Sequence, residues 1–439
     1  MSTDYLAAIS STKQQSQKLS FFEYLVIFIL ILYAGNANTF VVYSGINQNF
    51  ISFVIPVLLS FALILRWKIT FNHNFFILII GFGIYFIAIS LKFGGFQPAY
   101  FLGYFFRFFI VYIVIRSLKS DFFKIFEVIL FYLAIIGLFF WSVQIVLGGD
   151  TLFSIFAKIP GIEPFSWVTG SGLSIIVYSV QPSAIGIFHD YALPRNCGFA
   201  WEPGGFSVYL CLALFINLFI TKSEKNHRIR FWILVAALLS TQSTTGYVMF
   251  ILILSYYYLN KNLTFRVLLL PVLVVTLIFI FSLPFMTEKI VELVGKSLDV
   301  DQIIVNSFGR EKAISPQRFE SFMIAFRDFR NHPLLGLGGH TENSWLRLIG
   351  ANVATITGFG HLLAQFGIVG FLFFTIISGK SSTYLSNYFD YKGKLFFLFL
   401  ILMISISYRV LWSPVVTCFW MYGLFAPKKI NKEVLPDNT

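Results

Sequence analysis

Apolar runs of about 15 to 25 residues recur along the chain, separated by short polar connections. A run of this length, folded as an α-helix, matches the thickness of the hydrocarbon core of a bilayer. Hydrophobic residues make up 57% of the 439 residues and charged residues only 12%, which is about half the charged fraction of soluble domains. The pattern predicts an all-α, polytopic membrane protein.

Basic residues indicate which ends of these runs face the cytoplasm. Lysine and arginine cluster in short connections, such as residues 66–68 and 222–230, as they do on the cytoplasmic side of membrane proteins. This topology accounts for the net charge of +12 without a nucleic-acid partner. The alternation predicts about twelve membrane helices with both termini in the cytoplasm. The predicted segments are a cytoplasmic tail at 1–20, membrane helices 1–5 at 21–147, external loop 1 at 148–203, membrane helices 6–9 at 204–283, external loop 2 at 284–359, membrane helices 10–12 at 360–426 and a cytoplasmic tail at 427–439.

Two apolar stretches do not fit a simple span. The run Phe231–Leu259 is interrupted by Ser240–Gly246, and both of its ends are basic. This predicts two short spans joined by an outer turn, whose serine and threonine hydroxyls can pair with freed backbone groups. In external loop 1, the patch Leu173–Val180 is too short to span and is predicted to lie at the membrane surface.

External loop 2 carries the signals of a helix outside the membrane. Ser315-Pro316 predicts its start, with a capping serine and a proline at the first position, and His332-Pro333 predicts its end. Helical spacing predicts one apolar face, formed by Phe319, Phe322, Met323 and Phe326.

The charged residues of the segment Arg195–Phe206 are the first candidates for chemistry. Arg195 supplies a fixed cation and a fork of donors suited to phosphate oxygens. Glu202 has two open interpretations: a helix cap before Pro203, or a carboxylate that acts as a general base or holds the arginine. The glycines of the segment permit close approach of the backbone to a ligand.

Three further residues are candidates on their position. Arg107 lies in the middle of the fourth span, where it is either a buried, paired arginine or part of an anion site, such as one for a lipid phosphate. Arg318 lies on the external helix and faces away from its apolar side, as a solvated arginine would. His361 begins a span and could titrate or donate near the membrane surface. Asp299 and Asp301 have the spacing of a metal-binding pair but are interpreted as solvated, so no metal site is predicted.

An ordered set of short motifs resembles the Wzy-type O-antigen and capsule polymerases and the related O-antigen ligases. The motifs cover roughly residues 190–375. They are Arg195-x-x-Gly198-x-x-x-Glu202-Pro203, the Ser240–Gly246 break, Arg318, His332-Pro333-Leu-Leu-Gly336-x-Gly338, Asn343 and His361-x-x-x-Gln365-x-Gly367-x-x-Gly370.

The resemblance implies a GT-C-like, metal-independent membrane glycosyltransferase without a cofactor. It would polymerise undecaprenyl-diphosphate-linked oligosaccharide units at the outer face of the bacterial inner membrane, with a chain-length regulator as a further partner. Catalysis would require cations for the departing pyrophosphate and a base for the acceptor hydroxyl. The catalytic residues implied are Arg195, Glu202, Arg318 and His361, and the pyrophosphate ligands are Arg107, Arg195 and Arg318.

Two other functions remain open. Within the family, a ligase would transfer finished glycan to the lipid A core, and ligases carry a histidine where His361 stands. From a different class, a flippase or other transporter would place polar groups at the bilayer midplane and have short loops. This sequence places its ionisable groups mostly at the outer surface, which favours an enzyme.

Overall fold

The computed structural model of the chain describes residues 19–34, 54–162, 164–167, 170–181, 193–222, 224–259, 300–309, 313–314, 316 and 318–427. Within them the protein is mostly helical, as predicted. The helices are α1 (Phe21–Ala34), α2 (Val54–Trp67), α3 (His73–Phe93), α4 (Pro98–Leu118), α5 (Asp121–Leu147), α6 (Gly149–Ala157), α7 (Pro203–Phe219), α8 (His227–Ser240), α9 (Thr244–Leu259), α10 (Val300–Val305), α11 (Arg318–Asn331), α12 (Trp345–Leu348), α13 (Gly358–Tyr388), α14 (Phe396–Ser407) and α15 (Pro414–Phe425). The strands are β1 (Phe165–Trp167), β2 (Gly170–Ile175) and β3 (Tyr178–Val180).

Within the described ranges, nine apolar helices coincide in position with predicted spans, and four of the nine are long enough to cross a membrane. Among the described residues, α3, α4, α5 and α13 are long and apolar enough to cross a membrane, and α1, α2, α7, α14 and α15 are apolar but shorter. The run Phe231–Leu259 is divided as predicted, because α8 ends at Ser240 and α9 begins at Thr244. The predicted span near Val267–Leu283 lies outside the described residues, so the total of about twelve stays a prediction.

The centre of the helical bundle is α7. Its residues from Gly205 to Phe219 are all buried, as expected of a helix that is apolar around its whole circumference. Helices α5, α8 and α9 pack around it. The first residues of α7, next to Glu202, therefore lie where the outer ends of several helices meet.

Two neighbouring helices are too short to cross the bilayer. Helices α14 and α15 have 12 residues each, which corresponds to about 18 Å at 1.5 Å per residue. The hydrocarbon core is about 30 Å thick. Lys392 and Lys394 precede α14, which favours a cytoplasmic inner end for this hairpin. In the predicted topology, which stays a prediction, the connection at residues 408–413 would therefore lie within the depth of the bilayer.

External loop 1 contains a small sheet that the all-α prediction did not include. Strands β1, β2 and β3 pair in that order, both pairs antiparallel, and Leu173 lies opposite Val180. The patch Leu173–Val180 is thus a hairpin, and its position at the membrane surface stays a prediction. Leu173, Tyr178 and Val180 are buried against α6, and the Tyr178 hydroxyl donates to Gln144 Oε1 of α5 (2.8 Å). Burial of these side chains on one side of the hairpin stabilises it as a sheet.

External loop 2 contains the predicted helix, with a corrected start. Helix α11 begins at Arg318, and Pro316 lies outside it instead of at its first position; Ser315 is outside the described residues. The helix ends at Asn331, before His332-Pro333, as predicted. Its inner face packs against α13 and against a small core of this loop; the buried residues are Ser321, Ile324, Ala325 and Asp328.

Candidate functional site

Arg318 and Glu202 form an ion pair at the outer end of α7. Arg318 Nη2 lies 3.2 Å from Glu202 Oε1, and the two side chains are 35% and 29% exposed. Glu202 occupies the N-cap position of α7, but its side chain makes no capping hydrogen bond. Gly204 keeps the approach open, because a Cβ there would lie 3.3 Å from the guanidinium and 3.4 Å from the carboxylate. The carboxylate thus holds an arginine and does not cap the helix.

Arg195 lies beside this pair and is fixed to the break between α8 and α9. Its Nε donates to the carbonyl oxygen of Thr241 (3.2 Å). The next residue, Asn196, donates its backbone N–H to Ser240 O (3.0 Å) and its side-chain amide to Ser240 Oγ (2.8 Å). Burial lowers the pKa of the Arg195 guanidinium, whereas the negative charge of Glu202 acts in the opposite direction. An arginine nevertheless stays protonated in proteins, so the site keeps its positive charge.

Glycine at position 198 is required for the tight turn of this segment. Its φ of +52° is in the left-handed region, and a Cβ would lie 2.6 Å from the ring of Phe206. The turn brings Arg195 and Glu202 to the same side of α7. Of the predicted residues, the structure thus groups Arg195, Glu202 and Arg318; we call them the first cluster.

A second cluster joins the two other predicted residues, Arg107 and His361, around Trp412. The ring centroid of Trp412 lies 5.8 Å from Arg107 Cζ, 4.9 Å from Arg409 Cζ and 5.9 Å from the ring of His361. These arrangements are typical of cation–π contacts. Arg409 Nη2 also donates to the carbonyl oxygen of Thr355 (2.7 Å).

Arg409 is a member of this cluster that the sequence analysis missed. Arg409 separates two apolar runs at a connection that is predicted to face outward. The clustering of lysine and arginine on the cytoplasmic side does not explain a basic residue at such a position. That position is a signal for function, because a charge near the hydrocarbon is costly. Gly358 brings α13 onto the 408–413 connection: any Cβ there would collide with the Tyr408 carbonyl. His361 follows one turn later, which places it beside Arg409.

Tyr408 connects the two clusters. Its hydroxyl is hydrogen-bonded to the hydroxyl of Tyr209 in α7 (2.7 Å), and Glu202 is close enough to interact electrostatically with it. Tyr408 also lines a small cavity together with His361 and Arg409. Among the described residues, His361 Nε2 is buried without a hydrogen-bond partner. A ligand or water that donates to or accepts from this nitrogen would satisfy it.

The two motifs of external loop 2 and α13 are in direct contact. Residues 333–339 run along a break in α13 at Gly367, whose φ is +61°. Leu337 N–H donates to Ala364 O (2.9 Å), and Ile368 N–H donates to Pro333 O (2.8 Å). Gly336 permits this approach, because its Cβ would lie 2.5 Å from the carbonyl carbon of Gln365. Gly336 and Gly367 therefore both permit the same close contact between the backbone of external loop 2 and that of α13.

An apolar cavity of about 310 Å³ lies next to the second cluster. It is formed mainly by α3, α4 and α13. Tyr104 is shared between the two features, since its ring lines the cavity and lies 5.0 Å from Arg107 Cζ. Leu362 and Leu411 line both this cavity and the small one beside His361. The apolar cavity and the small cavity beside Arg409 and His361 thus share part of their walls.

Of the two aspartates that have the spacing of a metal-binding pair, the structure describes Asp301. Asp301 pairs with Arg327 (3.0 Å), and Asp299 is outside the described residues. Within the described ranges, no group of three or more histidine, cysteine, aspartate or glutamate side chains is placed to hold a metal ion.

Comparison with known families points to one group of membrane proteins. Residues 229–375 match the family model described as O-antigen ligase. The match covers one third of the chain and supports the predicted O-antigen ligase and polymerase superfamily, without distinguishing its two activities. It includes Arg318 and His361, whereas Arg107, Arg195, Glu202 and Arg409 lie outside it. A search of curated proteins finds no match.

Proposed function

We propose that this protein is a membrane glycosyltransferase that polymerises undecaprenyl-diphosphate-linked oligosaccharide units into O-antigen or capsular polysaccharide. The proposal places the reaction at the outer face of the bacterial inner membrane, with both protein termini in the cytoplasm. The observation that carries it is the second cluster: two arginines and a histidine beside an apolar cavity, linked through Tyr408 to the first cluster. This combination suits a ligand with an anionic head and a hydrocarbon tail.

The arginines would bind the lipid pyrophosphate. As the glycan leaves the carrier, the bond between its anomeric carbon and a pyrophosphate oxygen breaks, and negative charge develops on that oxygen. Guanidinium groups that are already in place stabilise this charge without reorganisation. We assign Arg195 and Arg318 to this role, with Arg107, and we add Arg409. The neighbouring cavity would hold part of the polyprenyl chain, in keeping with its almost wholly apolar lining.

A base must take the proton of the acceptor hydroxyl as its oxygen bonds to the anomeric carbon. Glu202 and His361 are the candidates. Glu202 interacts electrostatically with Tyr408, and His361 lines a small cavity together with Tyr408. Glu202 is held by Arg318 in this structure. A pyrophosphate that binds Arg318 would compete for that guanidinium and release the carboxylate. The base would then become available only when the donor is bound.

The ligase alternative stays open, because the matched family model is described as O-antigen ligase but does not distinguish ligases from polymerases. In both alternatives, the departing group is the same lipid pyrophosphate, so both use the cationic clusters in the same way. The difference lies in the acceptor, which is a lipid-linked repeat unit for a polymerase and the lipid A core for a ligase. A transporter would share the buried charges of the second cluster.

Deletion of the gene, followed by gel electrophoresis of the surface glycan, separates these functions. Loss of a polymerase leaves single repeat units attached to the surface lipid, which is the expected result. Loss of a ligase removes attached units altogether. Loss of a flippase also removes them and traps lipid-linked units on the cytoplasmic face. Either of the last two patterns would contradict the polymerase proposal.

A further inference from the structure

The outward face of α11 is apolar although the helix lies in an external loop. Phe319 is 42% exposed and Met323 is 37% exposed, on the side opposite the buried Ser321 and Ile324. Phe322 and Phe326 are half-buried on the same outward side, with their rings 5.8 Å apart. We call Phe319, Phe322, Met323 and Phe326 the aromatic stripe. Large side chains of this kind are not left in water without a reason.

The aromatic stripe continues into the apolar surface of a membrane helix. The ring of Phe322 lies 6.2 Å from that of Phe359, which in turn lies 5.5 Å from that of Phe371 in α13. Leu372 and Ile376, near Phe371, are exposed in an apolar part of this helix. Since α13 is one of the helices that can cross a membrane, those side chains are positioned to face lipid. The stripe thus begins where the lipid-facing surface ends.

The end of α11 gives the depth of the helix. Leu334, three residues after Asn331, is 68% exposed, and its carbonyl accepts a hydrogen bond from Val369 N–H (3.2 Å). Val369 is itself exposed and lies in the apolar part of α13, beyond the break at Gly367. The chain therefore leaves α11 at the level of residues that face lipid, and α11 cannot stand far above the bilayer.

Three charged residues of α11, namely Arg318, Arg327 and Asp328, have partners away from the stripe, whereas Arg330 lies on its side. Arg327 pairs with Asp301 (3.0 Å), and Asp328 points inward to accept from Trp345 N–H (2.6 Å). Arg318 pairs with Glu202 at the start of the helix. Arg330 is exposed near the end of the helix, on the side of the stripe, where its long stem can extend to lipid phosphates.

We propose that α11 lies in the surface of the outer leaflet, with the aromatic stripe inserted at the boundary between headgroups and acyl chains. The occupant of this face is the lipid bilayer. Amphipathic helices bind membranes in this way, with aromatic side chains at headgroup level. The consequence for the site is that α11 holds Arg318 at the depth of lipid phosphates. The proposal concerns membrane contact only and holds whatever the protein transfers.

Nitroxide labels on single introduced cysteines test this proposal. Cys197, Cys211 and Cys418 are buried, so label goes to the introduced thiol, and the unsubstituted protein gives the background. Phe319→Cys and Met323→Cys probe the stripe. Asn331→Cys, exposed on another side of the same helix, is the control. The full-length protein is reconstituted into phosphatidylethanolamine–phosphatidylglycerol vesicles, and relaxation by dissolved oxygen is compared with relaxation by a water-soluble nickel chelate.

Oxygen concentrates among acyl chains and the nickel chelate remains in water. We expect oxygen to dominate at positions 319 and 323 and nickel to dominate at 331, so that the depth parameter changes sign between stripe and control. If the nickel chelate also dominated relaxation at positions 319 and 323, the aromatic stripe would lie in water and the proposal would be overturned. Low access of both agents at these two positions would overturn it too, because the face would then be covered by protein.

Discussion

Arg318 and Glu202 are 116 positions apart in the chain, and the fold brings them together as an ion pair. The ion pair is partly exposed, so it adds little to stability. Its significance is chemical. Arg318 adds a second positive charge close to Arg195. Two cations this close are unfavourable unless an anion lies between or beside them. Glu202 supplies that anion in this structure, and in the proposed reaction the lipid pyrophosphate would take its place.

Substitution of Arg195 or Arg318 by alanine is therefore expected to abolish glycan extension. Removal of one fixed donor to a developing negative charge typically lowers turnover about 100- to 1,000-fold. Arg327→Ala is the matched control, because Arg327 lies on the same helix and pairs with Asp301 instead. The measurement is the length distribution of surface glycan, with membrane protein levels determined by immunoblot. Long glycans from both Arg195→Ala and Arg318→Ala at normal protein levels would rule out the proposed role.

The elements of the second external loop are fixed to α13 by backbone contacts. Residues 333–339 replace the hydrogen bonds that α13 loses at Gly367, as in the donation from Ile368 N–H to Pro333 O. A broken helix at membrane depth requires such partners, since lipid offers none. The contact also sets the position of α11 relative to His361, and hence of one cluster relative to the other.

Gly336→Ala is expected to lower the thermal stability of the purified protein. The new Cβ would lie 2.5 Å from the Gln365 carbonyl carbon, and the φ of +68° adds strain of about 1–2 kcal/mol. Gly350→Ala separates these two effects, because Gly350 has a φ of +74° with open space around it. We expect a clearly larger decrease in Tm for Gly336→Ala, measured by fluorescence in detergent. Equal decreases would show that the backbone contact contributes nothing.

At the scale of the whole molecule, the cavity and the two clusters arise where helices from distant parts of the chain meet. Helices α3 and α4 come from its first third and α13 from its last. The 408–413 connection between the short helices α14 and α15 contacts the last residues of external loop 2, since Arg409 donates to the carbonyl oxygen of Thr355. The cationic groups are thereby placed where a lipid headgroup can reach them while its tail remains in an apolar space.

Gly81→Leu tests whether that space holds a lipid tail. Gly81 lines the cavity, and a Cβ there meets nothing within 4 Å, so the larger side chain fills the cavity without a clash in the protein. We expect the KM for a lipid-linked donor to rise by about tenfold, which corresponds to ~1.4 kcal/mol. Gly83→Leu is the control, because Gly83 also has open space, is on the same helix and does not line the cavity. An unchanged KM for Gly81→Leu would argue against lipid binding there.

The sequence by itself determined the helices and several of their ends. Apolar length gave the spans, the polar interruption at Ser240–Gly246 gave the division into α8 and α9, and His332-Pro333 gave the end of α11. These features depend on residues close together in the chain, because hydrophobic periodicity and proline act locally. For the same reason, Arg195, Glu202, Arg318, Arg107 and His361 were recognisable as candidates one at a time.

Only the tertiary structure decided how those candidates combine. It paired Glu202 with Arg318, grouped Arg107 and His361 with the overlooked Arg409, and folded part of external loop 1 into a sheet. The two groupings of charged residues depend on contacts between segments that are far apart in sequence, and no local pattern specifies which of several charges will meet. The strands of the sheet are neighbours in sequence, but their burial comes from packing against α5 and α6. Close approach of backbones at Gly336, Gly358 and Gly367 made the contacts possible. The physical reason is that packing, not propensity, sets the distances between distant side chains.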